Sequence, residues 1–281
     1  MNNVSDEIKN KIDKKKSHII QSLWIGDSIS TMEILSMKSF LFHNHTYHLY
    51  TYNPIENIPD GVVIKDANEI IPKDQIYTYE NGSYSAFSNL FRFTLLWKCG
   101  GYWADTDLIC VKSFKFTQPY VIVSEPTQDY NSQLVTSSFI GLPKKSMTAY
   151  AGINFQKKIK HEILDGTLKW GAGPKCMNKI VNNYKLQKYI LPWNTVNSCG
   201  WNDIQSIVDT SYKPKSNSVI TNINNIPDNM ICIHMWNYMW TLKNFNKNST
   251  FHHNSLYEQL KKKFLVDSSN ESINTWYFNT K

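Results

Sequence analysis

The sequence is poor in cysteine, and the cysteines it has are badly placed for a framework. Cys99, Cys110, Cys176, Cys199 and Cys232 make an odd set of five in 281 residues, with no C-x-x-C pair. That pattern argues against a disulfide scaffold and against structural zinc, and it fits free thiols in a reducing compartment. Long apolar runs are missing as well. No stretch approaches the roughly 18 to 20 apolar residues that span a bilayer, and no apolar segment of signal-peptide length opens the chain. The N-x-S/T sequons at Asn44, Asn81 and Asn248 are what an Asn-rich chain produces by chance. A cytoplasmic location is therefore expected. Internal repeats and Pro/Gly/Ser linkers are also absent, so one large domain over residues 17–281, behind a charged arm at residues 1–16, is the expected organisation.

What is present is ordinary in bulk and unusual in detail. A hydrophobic fraction of 41% with 19% charged residues suits a globular protein, whereas 14% aromatic, with 9 Trp and 16 Tyr, is high. Such a supply serves either a core of large side chains or flat-faced ligands. The net charge is +7, and much of the excess sits in "KNKIDKKKSH" at residues 9–18. Two readings of this arm stand: a solvated, partly helical tail, and peripheral docking on an anionic membrane surface such as the inner membrane. Elsewhere the lysines are scattered, without the long basic stripe of a nucleic-acid reader, so no nucleic-acid partner is expected.

Hydrophobic periodicity sets out an α/β chain. "HIIQSLWIG" (18–26) reads as a buried strand, "ISTMEILSMKSFLFHN" (29–44) as a helix and "TYHLYTY" (46–52) as a second strand, the βαβ signature of a parallel sheet covered by helices. Further strands are expected at 61–67, 120–125 and 137–143, helices near 146–161 and 171–185, a buried strand running into a Trp-rich turn at 229–240, and a closing helix at 254–264. "YSAFSNLFRFTLLWKCGG" (84–101) reads as a helix with Phe87, Leu90, Phe91 and Leu95 on its apolar face and Gly100 as its stop. Its other face carries Asn89 and Arg92 three residues apart. An arginine in so aromatic a helix needs an anionic or polar partner.

Directly after that helix, "GYWADTDLICV" sets Asp105 and Asp107 into an apolar run. Read as a strand, it points both carboxylates to one side, near the strand's end. Two carboxylates so close repel one another, and in a partly desolvated place one must protonate unless a cation holds both ionised. Mg²⁺ or Mn²⁺ is the natural cation, because hard divalent ions combine carboxylate, water and phosphate oxygens. A surface turn that uses Asp to hydrogen-bond its own backbone is the competing explanation. Tyr102, Trp103, Leu108 and Ile109 around the pair weigh against it.

These residues carry a resemblance. "FSNLFRFTLLWKCGGYWADTDLICVK" resembles the core block of DXD-motif glycosyltransferases, specifically bacterial enzymes related to family 32, and more remotely the glucosylating domains of clostridial toxins. "SLWIGDSISTMEILSMKSFLFHNHTYHLYTY" resembles the family's opening block, "WGAGPKCMNKIV" its W-G-x-x-G-P segment and "CIHMWNYMW" its closing H-x-W-N block.

The resemblance implies a GT-A fold, a Rossmann-like, mostly parallel sheet flanked by helices, and a retaining hexosyl transfer from a nucleotide-diphosphate sugar. UDP is the first choice of nucleotide, with Mn²⁺ or Mg²⁺ as cofactor. Under it, Trp24 stacks on the base and Gly26 lets the backbone approach the donor; Asn89 and Arg92 hold the donor sugar. Asp105 contacts ribose and sugar, Asp107 ligates the metal, His234 is a second ligand and Trp236 donates to the leaving phosphate. The implied setting is surface polysaccharide, O-antigen, lipopolysaccharide or capsule synthesis on a glycan or lipid-linked glycan acceptor.

Two departures stand out. Asn89 occupies a position where the family commonly has Asp, so an amide replaces the usual carboxylate. Gln21 and Ser22 stand where more eukaryote-like members carry His-Gln. Competing functions are a phosphatase of the haloacid dehalogenase type, which also uses D-x-D but needs late paired acids that Asp203, Asp209 and Asp228 do not supply, and a non-catalytic sugar-binding module, which leaves the aspartate pair unexplained.

Overall fold

A computed structural model of the chain describes residues 18–266. The charged arm expected at residues 1–16, and with it any membrane contact it makes, lies outside the described residues. In chain order the elements are β1 (Ile19–Trp24), α1 (Thr31–Phe42), β2 (Thr46–Thr51), β3 (Val62–Asp66), α2 (Ser85–Cys99), β4 (Gly101–Ala104), β5 (Leu108–Cys110), β6 (Val121–Pro126), β7 (Gln133–Leu142), α3 (Met147–Leu164), α4 (Ala172–Asn183), β8 (Cys232–His234), α5 (Asn237–Leu242) and α6 (Leu256–Phe264).

The strands form a six-stranded sheet in the order β3-β2-β1-β4-β7-β6 and a separate two-stranded sheet of β5 and β8. β1, β2, β3 and β4 are mutually parallel, whereas β7 runs antiparallel to both β4 and β6. The mostly parallel, helix-flanked α/β sheet expected from the periodicity is therefore present. Parallel strands bring their carboxyl ends to one edge, so Trp24, Thr51, Asp66 and Ala104 all end there.

Local chemistry explains why these segments take these forms. Ser30 caps α1, its hydroxyl accepting from the backbone while the Glu33 carboxylate accepts from the Ser30 N–H at 2.8 Å. Glu33 is fully buried, and Lys247 reaches it at 2.6 Å. The α2 helix ends where expected, because Gly100 takes φ +70°; a Cβ there would lie 2.6 Å from the Lys144 backbone nitrogen. Gln21 donates to the Gly100 carbonyl at 2.8 Å and Ser22 to the Ala104 carbonyl at 2.6 Å. The two residues that depart from the His-Gln opening thus brace both ends of β4.

Three packed regions follow from the layering. Phe87, Leu90, Phe91 and Leu95 of α2 meet Leu23, Trp103 and Ile140 of the large sheet, together with Ile153 of α3 and Met177 of α4. On another side, Met37 and Phe40 of α1 pack with Ile20, Leu49 and Phe139, and with Leu108 and Cys232 of the small sheet. Ile109 and Ile233, from that same small sheet, join Met32, Leu35, Trp240 and Leu260 in the third region. Each such side chain contributes about 1.5–3 kcal/mol by burial, which makes the small sheet a packed element rather than a loop. No disulfide joins the five cysteines. No helix among the described residues is long and apolar enough to cross a membrane.

Candidate active site

The aspartate pair corrects one expectation. Asp105-Thr106-Asp107 is not part of a strand: the chain leaves the large sheet at Ala104, turns, and enters the small sheet at Leu108. The turn is closed by Leu108 N–H donating to the Asp105 carbonyl at 3.1 Å, and Asp105 N–H donates to the Ser138 carbonyl at 2.7 Å. The competing turn explanation is right about local shape and wrong about exposure, because Asp107 is only 6% exposed.

Each carboxylate has its own anchors. Asp105 Oδ1 accepts from Arg92 at 2.6 Å and from the Trp103 indole N–H at 2.7 Å. Arg92 also donates to the Ser137 carbonyl at 2.8 Å and to the Ser137 hydroxyl, and its guanidinium carbon lies 4.8 Å from the Trp103 ring centre. The arginine thus has the anionic partner its position demanded. Its Nε is buried without a hydrogen-bond partner among the described residues. Asp107 Oδ2 accepts from the Asn237 backbone N–H at 2.7 Å and lies 3.4 Å from His234 Nε2. The Asp107 carbonyl also accepts from Met235 N–H at 2.9 Å, tying the turn to the chain beyond β8.

His234 is held at both ring nitrogens, its Nδ1 lying 3.3 Å from the Asn197 side-chain oxygen. Trp236 stacks on it, with ring centres 4.1 Å apart. That stacking comes with a left-handed backbone at Trp236 (φ 55°, ψ 54°), uncommon for so large a residue and a local strain at the site. Asp105, Asp107 and His234 each offer a ligand atom within 4.8 Å of the others.

The electrostatics are those of a crowded buried cluster. Burial pushes the Asp105 carboxyl upward, with the Arg92 charge pulling it down and Asp107 adding to the rise. Burial also works against the Asp107 carboxylate, but His234 and the Asn237 N–H outweigh it, so Asp107 lies below the usual range. For His234, burial acts downward and the charges of Asp107, Asp105 and Glu125 carry it above its ordinary value. Hard carboxylate oxygens with one imidazole are a donor set that fits a divalent ion such as Mn²⁺.

Of the remaining expected residues, Trp24 and Gly26 lie at the carboxyl edge of the large sheet. β1 pairs with β4 through Gln21 and Trp103, so Trp24, the last residue of β1, and Asp105, just past β4, lie at the ends of neighbouring parallel strands. Trp24 is half-buried, its indole N–H donating to the Ser28 carbonyl at 2.9 Å. Gly26 packs closely under it, since a Cβ there would lie 3.1 Å from that indole nitrogen. Asn89 is 7% exposed and its amide bonds to no described residue; a Cβ on Gly173 would come within 3.1 Å of its Oδ1. Trp236 is in place, but its indole N–H is taken by the Cys199 carbonyl at 3.1 Å.

Four participants escaped the sequence reading. Trp103 was legible in principle, because it lies two residues before Asp105 in the same apolar run. Ser137, Asn197 and Glu125 carried no signal. Glu125, at the end of β6, is a half-buried carboxyl raised by burial, with the charge of His234 opposing the rise.

Comparison with known proteins matches residues 30–127 to the family of glycosyltransferase sugar-binding regions containing a DXD motif. No curated protein matches the chain in sequence. Among solved structures, the PaToxG glycosyltransferase is 17% identical with a TM-score of 0.47, over 64% of this chain and 77% of that one. The glycosyltransferase GlyE of Streptococcus pneumoniae TIGR4 is 12% identical with a TM-score of 0.47, over 90% of this chain and 61% of that one, so the chain spans less than two thirds of that relative. The UDP-bound glycosyltransferase domain of the YGT toxin is 9% identical with a TM-score of 0.40, over 86% and 81% of the two chains. Residues 30–127 thus match a DXD-type glycosyltransferase region, and Asp105-Thr106-Asp107 is the D-x-D within the matched residues.

Proposed function

We propose that this protein is a metal-dependent, retaining GT-A glycosyltransferase of the family 32 kind, moving a hexose from a UDP-sugar to a glycan acceptor. The observation that carries the reading is the convergence of Asp105, Asp107 and His234 from two sheets onto one point. Mn²⁺ held by Asp107 and His234, with Asp105 beside them, would supply positive charge to a donor diphosphate as its bond to the sugar breaks.

The protein's own residues do the positioning. Arg92 and Trp103 fix one oxygen of Asp105, leaving its other oxygen to accept hydroxyls of ribose or sugar. Asn89, unbonded beside the Gly173 backbone, both donates and accepts toward the sugar hydroxyls. It places no negative charge near the anomeric carbon, which sets this site apart from relatives with Asp there. The oxocarbenium-like character of the reaction is then favoured by Asp105 and Asp107. A role for Trp236 at the leaving phosphate requires its indole to exchange the Cys199 carbonyl for the phosphate. The biological setting we infer is bacterial surface polysaccharide or lipopolysaccharide synthesis by a single domain at the cytoplasmic side of a membrane.

The test is a panel of nucleotide sugars screened by thermal shift and by release of nucleotide diphosphate, with and without Mn²⁺, on wild type and Asp107→Ala. Metal-dependent stabilisation and slow hydrolysis of a UDP-sugar, both lost in the variant, are expected. If no nucleotide diphosphate stabilises the wild type more with Mn²⁺ than without, the reading is wrong.

A further inference from the structure

The donor-side residues leave one conspicuous feature of the rim unexplained. Trp170 is 50% exposed and Tyr238 37% exposed, although both are large side chains whose burial water favours. Their rings stack with centres 5.0 Å apart and planes within 22°. The pair is also held in place. Tyr79 lies against Trp170 at 5.8 Å, and its hydroxyl accepts from Ala172 N–H at 3.4 Å. Asn81 donates to the Tyr238 hydroxyl at 3.0 Å. Surface rings fixed by neighbours lose little freedom when a ligand arrives, which is what a binding platform requires.

Chain connectivity places the platform at the mouth of the site. Trp170 precedes Gly171 and α4, whose Gly173 approaches Asn89. Tyr238 follows Asn237, whose N–H holds Asp107. One half of the pair is therefore tethered to the sugar-facing amide and the other to the metal-facing carboxylate. Charge narrows the ligand further. Lys169, next to Trp170, and Glu80, between Tyr79 and Asn81, lie 3.7 Å apart and are opposite in sign, so their charges offset one another beside the pair. A neutral, flat ligand with an apolar face and a polar edge fits both the rings and the amide and hydroxyl beside them.

We propose that Trp170 and Tyr238 form the acceptor subsite, receiving the apolar face of a pyranose ring while its hydroxyls reach Asn81, the Tyr238 hydroxyl and water. This rests on the glycosyl-transfer reading and adds to it a place and a ligand class for the acceptor.

The experiment separates the two. Hydrolysis of a UDP-sugar by the wild type with Mn²⁺ is measured first. Wild type, Trp170→Ala, Trp170→Phe and Tyr238→Ala are then applied, with UDP and Mn²⁺, to a printed panel of hexose- and hexosamine-terminated glycans, and thermal unfolding verifies that each variant is folded. The expected result is capture by the wild type, a loss of about tenfold or more in both alanine variants, and recovery of most capture in Trp170→Phe. Equal capture by Trp170→Ala overturns the subsite and leaves the enzyme reading intact. So does a wild type that hydrolyses its donor yet captures no glycan. A wild type that neither hydrolyses nor binds any nucleotide sugar fails at the first step, and both readings fall together.

Discussion

Replacing Arg92 with methionine keeps most of the side chain's length and removes its charge. In the native site the guanidinium is buried, bonds Asp105 at 2.6 Å and the Ser137 carbonyl at 2.8 Å, and lies over Trp103. Taking it away leaves Asp105 beside Asp107 with its closest cation gone. Breaking a buried ion pair from one side costs about 3–5 kcal/mol. The Asp105 side chain is 30% exposed, so water relieves part of that penalty, and about 2–3 kcal/mol is the better expectation. For a chain of this size, 1 kcal/mol moves the melting temperature by about 2–4 °C, so Arg92→Met should melt about 5–10 °C lower.

The cycle that isolates the pair adds Asp105→Asn and the double variant. Because the stranded charge is absent from the double variant, its loss should be smaller than the sum of the singles by about 1–3 kcal/mol. The assay is urea and thermal unfolding at neutral pH without divalent ions. If Arg92→Met melts within about 1 °C of wild type, or the single losses simply add, the guanidinium does not hold that carboxylate and the account of the site fails.

Three further outcomes follow from other parts of the molecule. Asp107→Asn should weaken Mn²⁺ binding in the presence of UDP by about a hundredfold or more, read by titration calorimetry, and unchanged affinity would remove Asp107 from the ligand set. His45 is 5% exposed with neither ring nitrogen bonded to a described residue, and burial, then the charges of His18 and His43, lowers its pKa from 6.5 to about 4. A depressed folded pKa gives stability that is present above pH 6.5 and lost as pH falls toward 4, so about 2 kcal/mol should disappear between about pH 7 and pH 5 in urea melts; His45→Phe should flatten that slope, and an unchanged slope would place the acid sensitivity elsewhere. Gly100→Ala meets both the positive φ and the Lys144 backbone, and should cost about 1–3 kcal/mol of unfolding free energy; a neutral result would mean that the α2–β4 corner relaxes freely.

Much of the fold was legible because its signals are local. A short apolar run marked β1, alternation marked β2, a clean apolar stripe marked α2, and the glycine pair marked its end. The three-residue spacing of Asn89 and Arg92 set both on one face, and both are buried there. The turn at Asp105-Thr106-Asp107 was missed for a specific reason. Trp103 and Leu108 are both fully buried apolar residues, which suggests one continuous strand, but each is buried in a different sheet. Contacts made across the chain were harder still. His234 and Asp107 are 127 positions apart, and only a resemblance to known enzymes joined them in advance. The Ser137 carbonyl under Arg92 and the Asn197 amide behind His234 depend on backbone placement, which no residue type announces. The resemblance also extended to the Trp236 indole a duty toward phosphate, while the folded chain occupies that N–H with Cys199.

The two-sheet arrangement makes the site work like a caliper. Asp105 rides on one jaw, fixed by β4, Arg92 and the Ser138 carbonyl; Asp107 rides on the other, fixed by β5, the Asn237 N–H and His234 on β8. What sets the opening is the packing of the small sheet between its two apolar neighbours, through residues such as Met32, Ile109 and Ile233. A lost methyl group there would leave every bond of each aspartate in place and still alter the gap between them, so the calibration of this site is stored in its hydrophobic core.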